Sequence, residues 1–203
     1  VSIAVSYKGK FVAAGALDGT VGVWELQSNT CLLQEAIGSG IILDLSFSSD
    51  GSFIIISSSE RGVFAVDIQS GNTIWSTPRT GADVIALAVS QENEVVVTAT
   101  SRGVLKLIDS QTGQVISTSI SSSSSLRDLA LLSDGNRLLI SSRDGAIAIW
   151  NLNHFVQVAS FPITNDLDSI AVSKDGTRIA ICSGSPTVYI LDSRSSGERL
   201  LEQ

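Results

Sequence analysis

The stretch DGTVGVWEL, Asp18 to Leu26, sets a bulky Trp24 near the end of a short run that opens on Asp-Gly and alternates large with small residues. A period of two marks a strand, and Asp-Gly marks the chain reversal that leads into it. The same order returns as DGAIAIWNL, Asp144 to Leu152. Aligned on the acid or amide that closes this strand, the chain falls into register at Glu25, Asp67, Asp109, Asn151 and Asp192, with spacings of 42, 42, 42 and 41 residues. A fixed period within about 20–50 residues is the signature of a repeat architecture.

The rest of each unit keeps the register. A first strand (VSIAVS, ILDLSFS, VIALAVS, LRDLALLS, LDSIAVS) is followed by a polar turn and a second strand (FVAAGA, FIIISSS, EVVVTATS, RLLISS, RIAICSG). The β-branched and small residues of that second strand suit a sheet packed on both faces. Gly19, Gly62, Gly103 and Gly145 then supply backbone freedom before the third strand, and a fourth closes the unit, as in TCLLQEAI, NTIWSTP and QVISTSI. Four short antiparallel strands per unit predict the blade of a β-propeller. The expected fold is all-β, with one domain over 1–203 built of five four-stranded antiparallel blades near 1–40, 41–83, 84–126, 127–166 and 167–203. No stretch keeps helical periodicity. The chain starts at an inner strand, ends at an outer one and contains no Met, so the expectation is a fragment of a longer chain and of a larger ring.

Composition bounds the partners. The chain is 43% hydrophobic and 16% charged, enough for a packed core, and its net charge of -7 disfavours general attraction to nucleic-acid phosphates or anionic membranes. The apolar runs are far short of the roughly 20 residues that span a bilayer. Cys31 and Cys182 show no metal-ligand spacing; buried free thiols are expected for both, which favours a reducing, cytoplasmic or nuclear setting.

These units resemble WD40 repeats, most strongly at FVAAGALDGTVGVWEL and NRLLISSRDGAIAIWNL. The resemblance implies that Trp24 and Trp150 pack within their blades, that Asp18 and Asp144 sit in the tight turn between second and third strands, and that a complete ring has about seven blades. The Gly-His dipeptide usual before the first strand is replaced by GSG at Gly38–Gly40 and by Ser121–Ser125, so the family's His-centred network cannot form and the member is divergent. The second unit, AVDIQSGNTIW from Ala65 to Trp75, is similar to quinoprotein-like propeller repeats, whose Trp docks on the neighbouring blade. Trp24, Trp75 and Trp150 each end or follow an apolar run and are expected to be largely buried.

No catalytic constellation emerges. A Ser-His-acid set needs a positioned His, and the single His154 lies in the turn NLNHFVQ. A structural zinc site needs about four Cys or His ligands, more than the chain holds. The expectation is therefore no enzyme, no metal and no cofactor. Function should lie on the faces of the propeller. Arg61, Arg102 and Arg143 fall in the second-to-third-strand loops of successive units, and Arg79 and Arg127 in linker and first-strand positions that open on the same face in WD40 proteins. Such arginines could bind carboxylates or phosphates; the plainer reading is solvated charges paired with Glu60, Asp128 and Asp144. The Ser121–Ser125 run reads as an inter-blade loop, with regulation by modification left open.

The leading function is a non-catalytic scaffold that holds protein partners, including acidic or phosphorylated segments, in a multi-subunit intracellular assembly, with no membrane contact. The competing readings are a quinoprotein-like or small-ligand-binding propeller, and a propeller that contacts RNA backbone through the arginine face.

Overall fold

The computed structural model describes residues 2–37, 40–79, 81–90, 92–121, 125–163, 166–184, 186–192 and 201–202. Blade 1 contains β1 (Ser2–Val5), β2 (Phe11–Gly15), β3 (Thr20–Glu25) and β4 (Thr30–Ala36). Blade 2 contains β5 (Ile42–Phe47), β6 (Phe53–Ser58), β7 (Gly62–Asp67) and β8 (Thr73–Thr77). Blade 3 contains β9 (Val84–Ser90), β10 (Val95–Thr100), β11 (Val104–Asp109) and β12 (Val115–Ile120). Blade 4 contains β13 (Leu126–Leu131), β14 (Arg137–Ser142), β15 (Ala146–Asn151) and β16 (Val156–Pro162). Blade 5 contains β17 (Leu167–Val172), β18 (Arg178–Ser183), β19 (Val188–Asp192) and β20 (Leu201–Glu202). Each blade is a separate four-stranded sheet paired in sequence order, with antiparallel neighbours throughout. Among the described residues there is no helix, and so none long and apolar enough to cross a membrane.

Burial along the strands follows from how the sheets stack. β6 and β10 are buried at every position, because both of their faces meet a neighbouring blade. The outer strands β4, β12 and β16 are exposed along most of their length. Four apolar clusters fill the interfaces between blades 1 and 2, 2 and 3, 3 and 4, and 4 and 5. In the first, Phe11 of blade 1 stacks on Phe47 of blade 2, ring centroids 6.3 Å apart. The innermost strands β1, β5, β9, β13 and β17 touch in succession, and among the described residues no contact of comparable extent joins β17 to β1, so that the described blades follow an open arc.

The open arc explains where the expectations about burial fail. Ile3, Val5 and Leu26 on the blade 1 face turned away from blade 2 are 69%, 58% and 52% exposed. One repeat later, Leu45, Phe47 and Ile68 are 3%, 5% and 3% exposed, because blade 1 covers them. Trp24 shares that uncovered face. It is half-buried and lies across Gly22 of its own strand, whereas its counterparts Val66 and Ile108 are buried. Cys182 lies on the uncovered far side of blade 5 and Cys31 on the outer strand β4; both are exposed free thiols, contrary to the expected burial.

Trp75 and Trp150 are in the core at 8% and 3% exposure. Trp150 packs with its ring 5.5 Å from Phe155 and lies in the cluster between blades 3 and 4. Trp75 reaches into the next blade. Its Nε1–H donates to the Ser110 carbonyl at 2.9 Å, and its ring covers Gly113 so closely that a Cβ there would come within 2.6 Å of Cε3. Gly113 has φ of +72°, so that position requires glycine on two counts.

Candidate interaction face

The loops that carry the arginines are fixed by a backbone zipper that repeats with the blades. The amides of Ser59, Ser101, Arg143 and Gly184, each in the turn after a second strand, donate to the carbonyls of Ile41, Asp83, Ser125 and Asp166 in the linker before that blade's first strand. Second-to-third-strand turns and inter-blade linkers therefore share one face. Gly62 shows why the turn needs glycine: its φ is +80°, and a Cβ would meet the Thr77 carbonyl at 2.9 Å. In the corresponding turn of blade 1, Asp18 accepts from the Thr20 amide at 3.0 Å, and this bond with the Thr20 hydroxyl holds its carboxyl below the ordinary carboxylate pKa. Asp144 accepts from the Ser142 hydroxyl and from the Ala146 amide.

On this face Arg61 donates to the Ile37 carbonyl of blade 1 and sets its guanidinium 4.2 Å from the centroid of the Phe64 ring. Arg79 pairs with Asp83 at 3.1 Å. Arg127 occupies the bulge by which β13 shifts register between Leu126 and Asp128; it reaches Asp166 at 3.4 Å, while its Nε is buried without a partner among the described residues. Arg143 approaches the same Asp166 at 3.9 Å. Arg102 is exposed, and none of the described carboxylates pairs with it. The structure thus joins Arg127 and Arg143 through a shared carboxylate, keeps Arg61 and Arg79 on separate tethers, and leaves Arg102 paired with none of the described carboxylates.

Of the expected acidic partners, Glu60 and Asp128 form no ion pair with these arginines among the described residues. Asp83 and Asp166, both in linkers, do the pairing. Asp128 is instead committed between blades: it accepts from the Ser169 hydroxyl at 2.7 Å, the Ile170 amide at 2.9 Å and its own neighbour's amide, Leu129. Asp44, one blade pair earlier, does the same on both sides, accepting from the Ser2 hydroxyl of blade 1 and the Leu87 amide of blade 3, each at 2.7 Å. Burial pushes the Asp44 carboxyl above its ordinary pKa; hydrogen bonds from Ser2, Leu87 and Leu45 oppose this, and the Asp128 charge adds to it. Neither carboxylate was expected to bridge blades: Asp44 was not singled out and Asp128 was read as an arginine partner, yet they recur at the same repeat position two units apart, with Ser2, Ala86 and Ser169 at the others.

The opposite face carries the remaining ordered acids. Asp67 and Asp109 each cap the turn after a third strand, accepting from Ser70 and Thr112 respectively, and Asp175 is held at a pKa of about 2 by the Ser173 hydroxyl and the Thr177 amide and hydroxyl. His154 lies exposed in a turn, its amide donating to Asn151 Oδ1. Among the described residues no group of three or more His, Cys, Asp or Glu side chains could hold a metal ion. Residues 122–124 of the serine run, and Gly38 and Ser39, lie outside the described residues.

Stacked four-stranded antiparallel blades with their turns zipped on one face are those of a β-propeller. The family described as WD domain, G-beta repeat matches residues 1–25 and 113–151. The chain is similar to Autophagy-related protein 16 of Arabidopsis thaliana, 27% identical over 199 residues, which is 96% of this chain and 38% of that protein. At residues 1–25 and 113–151 the repeats of this chain are similar to WD40 repeats, and the five four-stranded blades accord with that likeness.

Proposed function

We propose that this chain is a non-catalytic scaffold whose arginine-bearing face receives acidic or phosphorylated segments of protein partners in a multi-subunit assembly of the cytoplasm or nucleus. The observation that carries the reading is the placement of arginines from consecutive blades on one zippered face, with Arg61 and Arg102 held by no carboxylate among the described residues. Guanidinium groups are well suited to carboxylate and phosphate oxygens. The chain spans about 38% of the length of a curated relative that it matches, and the likeness to an autophagy-related protein makes an autophagy assembly the first place to seek the partners. The exposed apolar face of blade 1 supports a second element of the proposal: in the complete protein the arc 1–203 belongs to a larger ring of about seven blades.

The test replaces Arg61, Arg102 and Arg143 together by Glu. The variant should lose partner binding while its stability falls by no more than about 1 kcal/mol, mostly from Arg61 leaving the Phe64 ring. Full retention of partners with an intact melting curve would reduce the arginines to solvated charges. A loss restricted to RNA would point to backbone contact instead.

A further inference from the structure

The outer strand of each blade is a sheet edge, and the edge of blade 3 differs from the others. β12 (Val115–Ile120) closes the sheet of blade 3 on the outside. The Ser121 amide donates to the Gly103 carbonyl at 2.9 Å. Antiparallel strands exchange backbone bonds at every second position, so Ser119 and Ser117 turn their backbone toward β11 while Thr118 and Ile120 turn theirs outward. Blades 2 and 4 block that outward position. Pro78 and Pro162 stand 42 residues to either side of Ile120, where a proline removes the outward N–H and costs no bond to the third strand. Blade 1 has Ala36 there, beside the exposed charge of Glu35. Blade 3 has neither device: Ser110 to Leu126 contains no proline and no charged residue.

The side chains of this open edge fit one occupant. Across the sheet Val115 pairs with Ile108, Thr118 with Lys106 and Ile120 with Val104, and the bulge between Leu107 and Ile108 takes up Ile116. Counted on β11, Val115 and Ile120 therefore stand two ladder positions to either side of Thr118. Ile120 is 72% exposed, more than any other large apolar side chain described, Val115 is 47% exposed, and Thr118 is exposed between them. A second β12 laid antiparallel against the first, with the two-fold axis at Thr118, sets Thr118 against Thr118 and each Val115 against the Ile120 of the other copy. Cross-strand pairs of these kinds stabilise a sheet. A two-fold contact must be self-complementary, and this edge meets that condition.

We propose that β12 is a dimerisation edge, which pairs antiparallel with β12 of a second copy of this chain and joins two third blades into one eight-stranded sheet. Each copy supplies a single short strand, so the contact belongs to the small, reversible class of interfaces. Two copies joined in this way present any partner-binding face twice on one particle, which raises avidity for repeated segments.

The experiment uses the complete protein with the exposed thiols Cys31 and Cys182 replaced by Ser. Thr118→Cys places the cysteines of two paired copies with Cα atoms about 5.5 Å apart. A short bifunctional thiol reagent should then link them, and trypsin should release segment 107–127 joined to its own copy. Ser76→Cys, at the corresponding position of blade 2, should stay unlinked. Adding Ile120→Pro to the Thr118→Cys protein gives blade 3 the proline of blades 2 and 4; it should cut the yield of linked dimer about tenfold and leave the melting temperature unchanged. Ile120→Lys keeps the backbone N–H, puts a charge in the apolar pair and should cut the yield likewise, which carries the test if the proline variant fails to fold. No linkage at position 118, the result expected if the edge takes a strand of a different protein, overturns the proposal. Equal linkage at positions 118 and 76 marks random collision and overturns it too, as does linkage that survives both changes at Ile120.

Discussion

Replacing Trp75 tests the joint between blades 2 and 3. Truncation to Ala removes a side chain 8% exposed in the cluster of Phe53, Ile55, Leu87 and Val96, and large-to-small changes of that kind cost roughly 3–5 kcal/mol. Trp75→Phe keeps most of the ring and loses the hydrogen bond from Nε1, leaving the Ser110 carbonyl without it at a cost of about 1–3 kcal/mol. From the other side, Gly113→Ala adds a Cβ 2.6 Å from the Trp75 ring at φ +72°. The backbone part alone costs about 1–2 kcal/mol. The steric part depends on the indole: a smaller ring at position 75 gives the new methyl room. The double variant Trp75→Phe, Gly113→Ala should therefore cost less than its two parts added, with a coupling of about 0.5–3 kcal/mol. Urea unfolding followed by far-UV circular dichroism gives each value, with the slope against denaturant unchanged if the transition stays two-state. Additivity within about 0.3–0.5 kcal/mol would refute the contact.

Other consequences are equally concrete. Asp44 titrates above its ordinary value in the fold, so it favours folding below the unfolded carboxylate pKa, and that contribution fades as pH rises through the folded value. Asp128→Asn removes one cause of the rise and should bring the Asp44 pKa down in a carboxyl-carbon NMR titration; an unmoved value would contradict the coupling. Asp50, Asp67, Asp109 and Asp175 have the opposite sign: their stabilisation is present above the unfolded carboxylate pKa and is lost as pH falls through their lowered values. Acid unfolding that stays absent below pH about 2 would go against this. Trp150→Ala should cost roughly 3–5 kcal/mol and Trp24→Ala less than half as much, because only the former is enclosed; equal losses in thermal denaturation would count against the uncovered face. Chain 1–203 alone should self-associate in sedimentation through Ile3, Val5 and Leu26, whereas a stable 21.3 kDa monomer would show that this apolar face tolerates water.

Residues that act within one repeat were readable from the sequence. The 42-residue register places every strand in its blade, because alternation and the Asp-Gly turn are local. The Ala65–Trp75 motif also anticipated a Trp docked on the neighbouring blade, which the Ser110 and Gly113 contacts of Trp75 show. Burial was less legible: Trp24 and Trp150 occupy the same repeat position in nearly the same words, and only a neighbouring sheet makes one core and leaves the other half-exposed. The same reason undid the expectation for Cys182. The pairing of Arg127 and Arg143 with Asp166 was not legible, because Asp166 reaches both from the next linker, outside their own repeat. The open edge of blade 3 was within reach: Pro78 and Pro162 lie 42 residues to either side of Ile120, and the register was already in hand.

Hydrogen–deuterium exchange of the protein with and without a bound partner tests the central claim most directly, because it reports which face the partner covers. The account predicts slowed exchange in the turns and linkers around Ser59–Gly62, Arg79–Asp83, Ser101–Gly103 and Arg143–Gly145, with the turns at Asp50, Asp67, Asp109 and Asp175 unchanged. Protection confined to those four acidic turns, or to the outer strands β4, β8, β12 and β16, would contradict it.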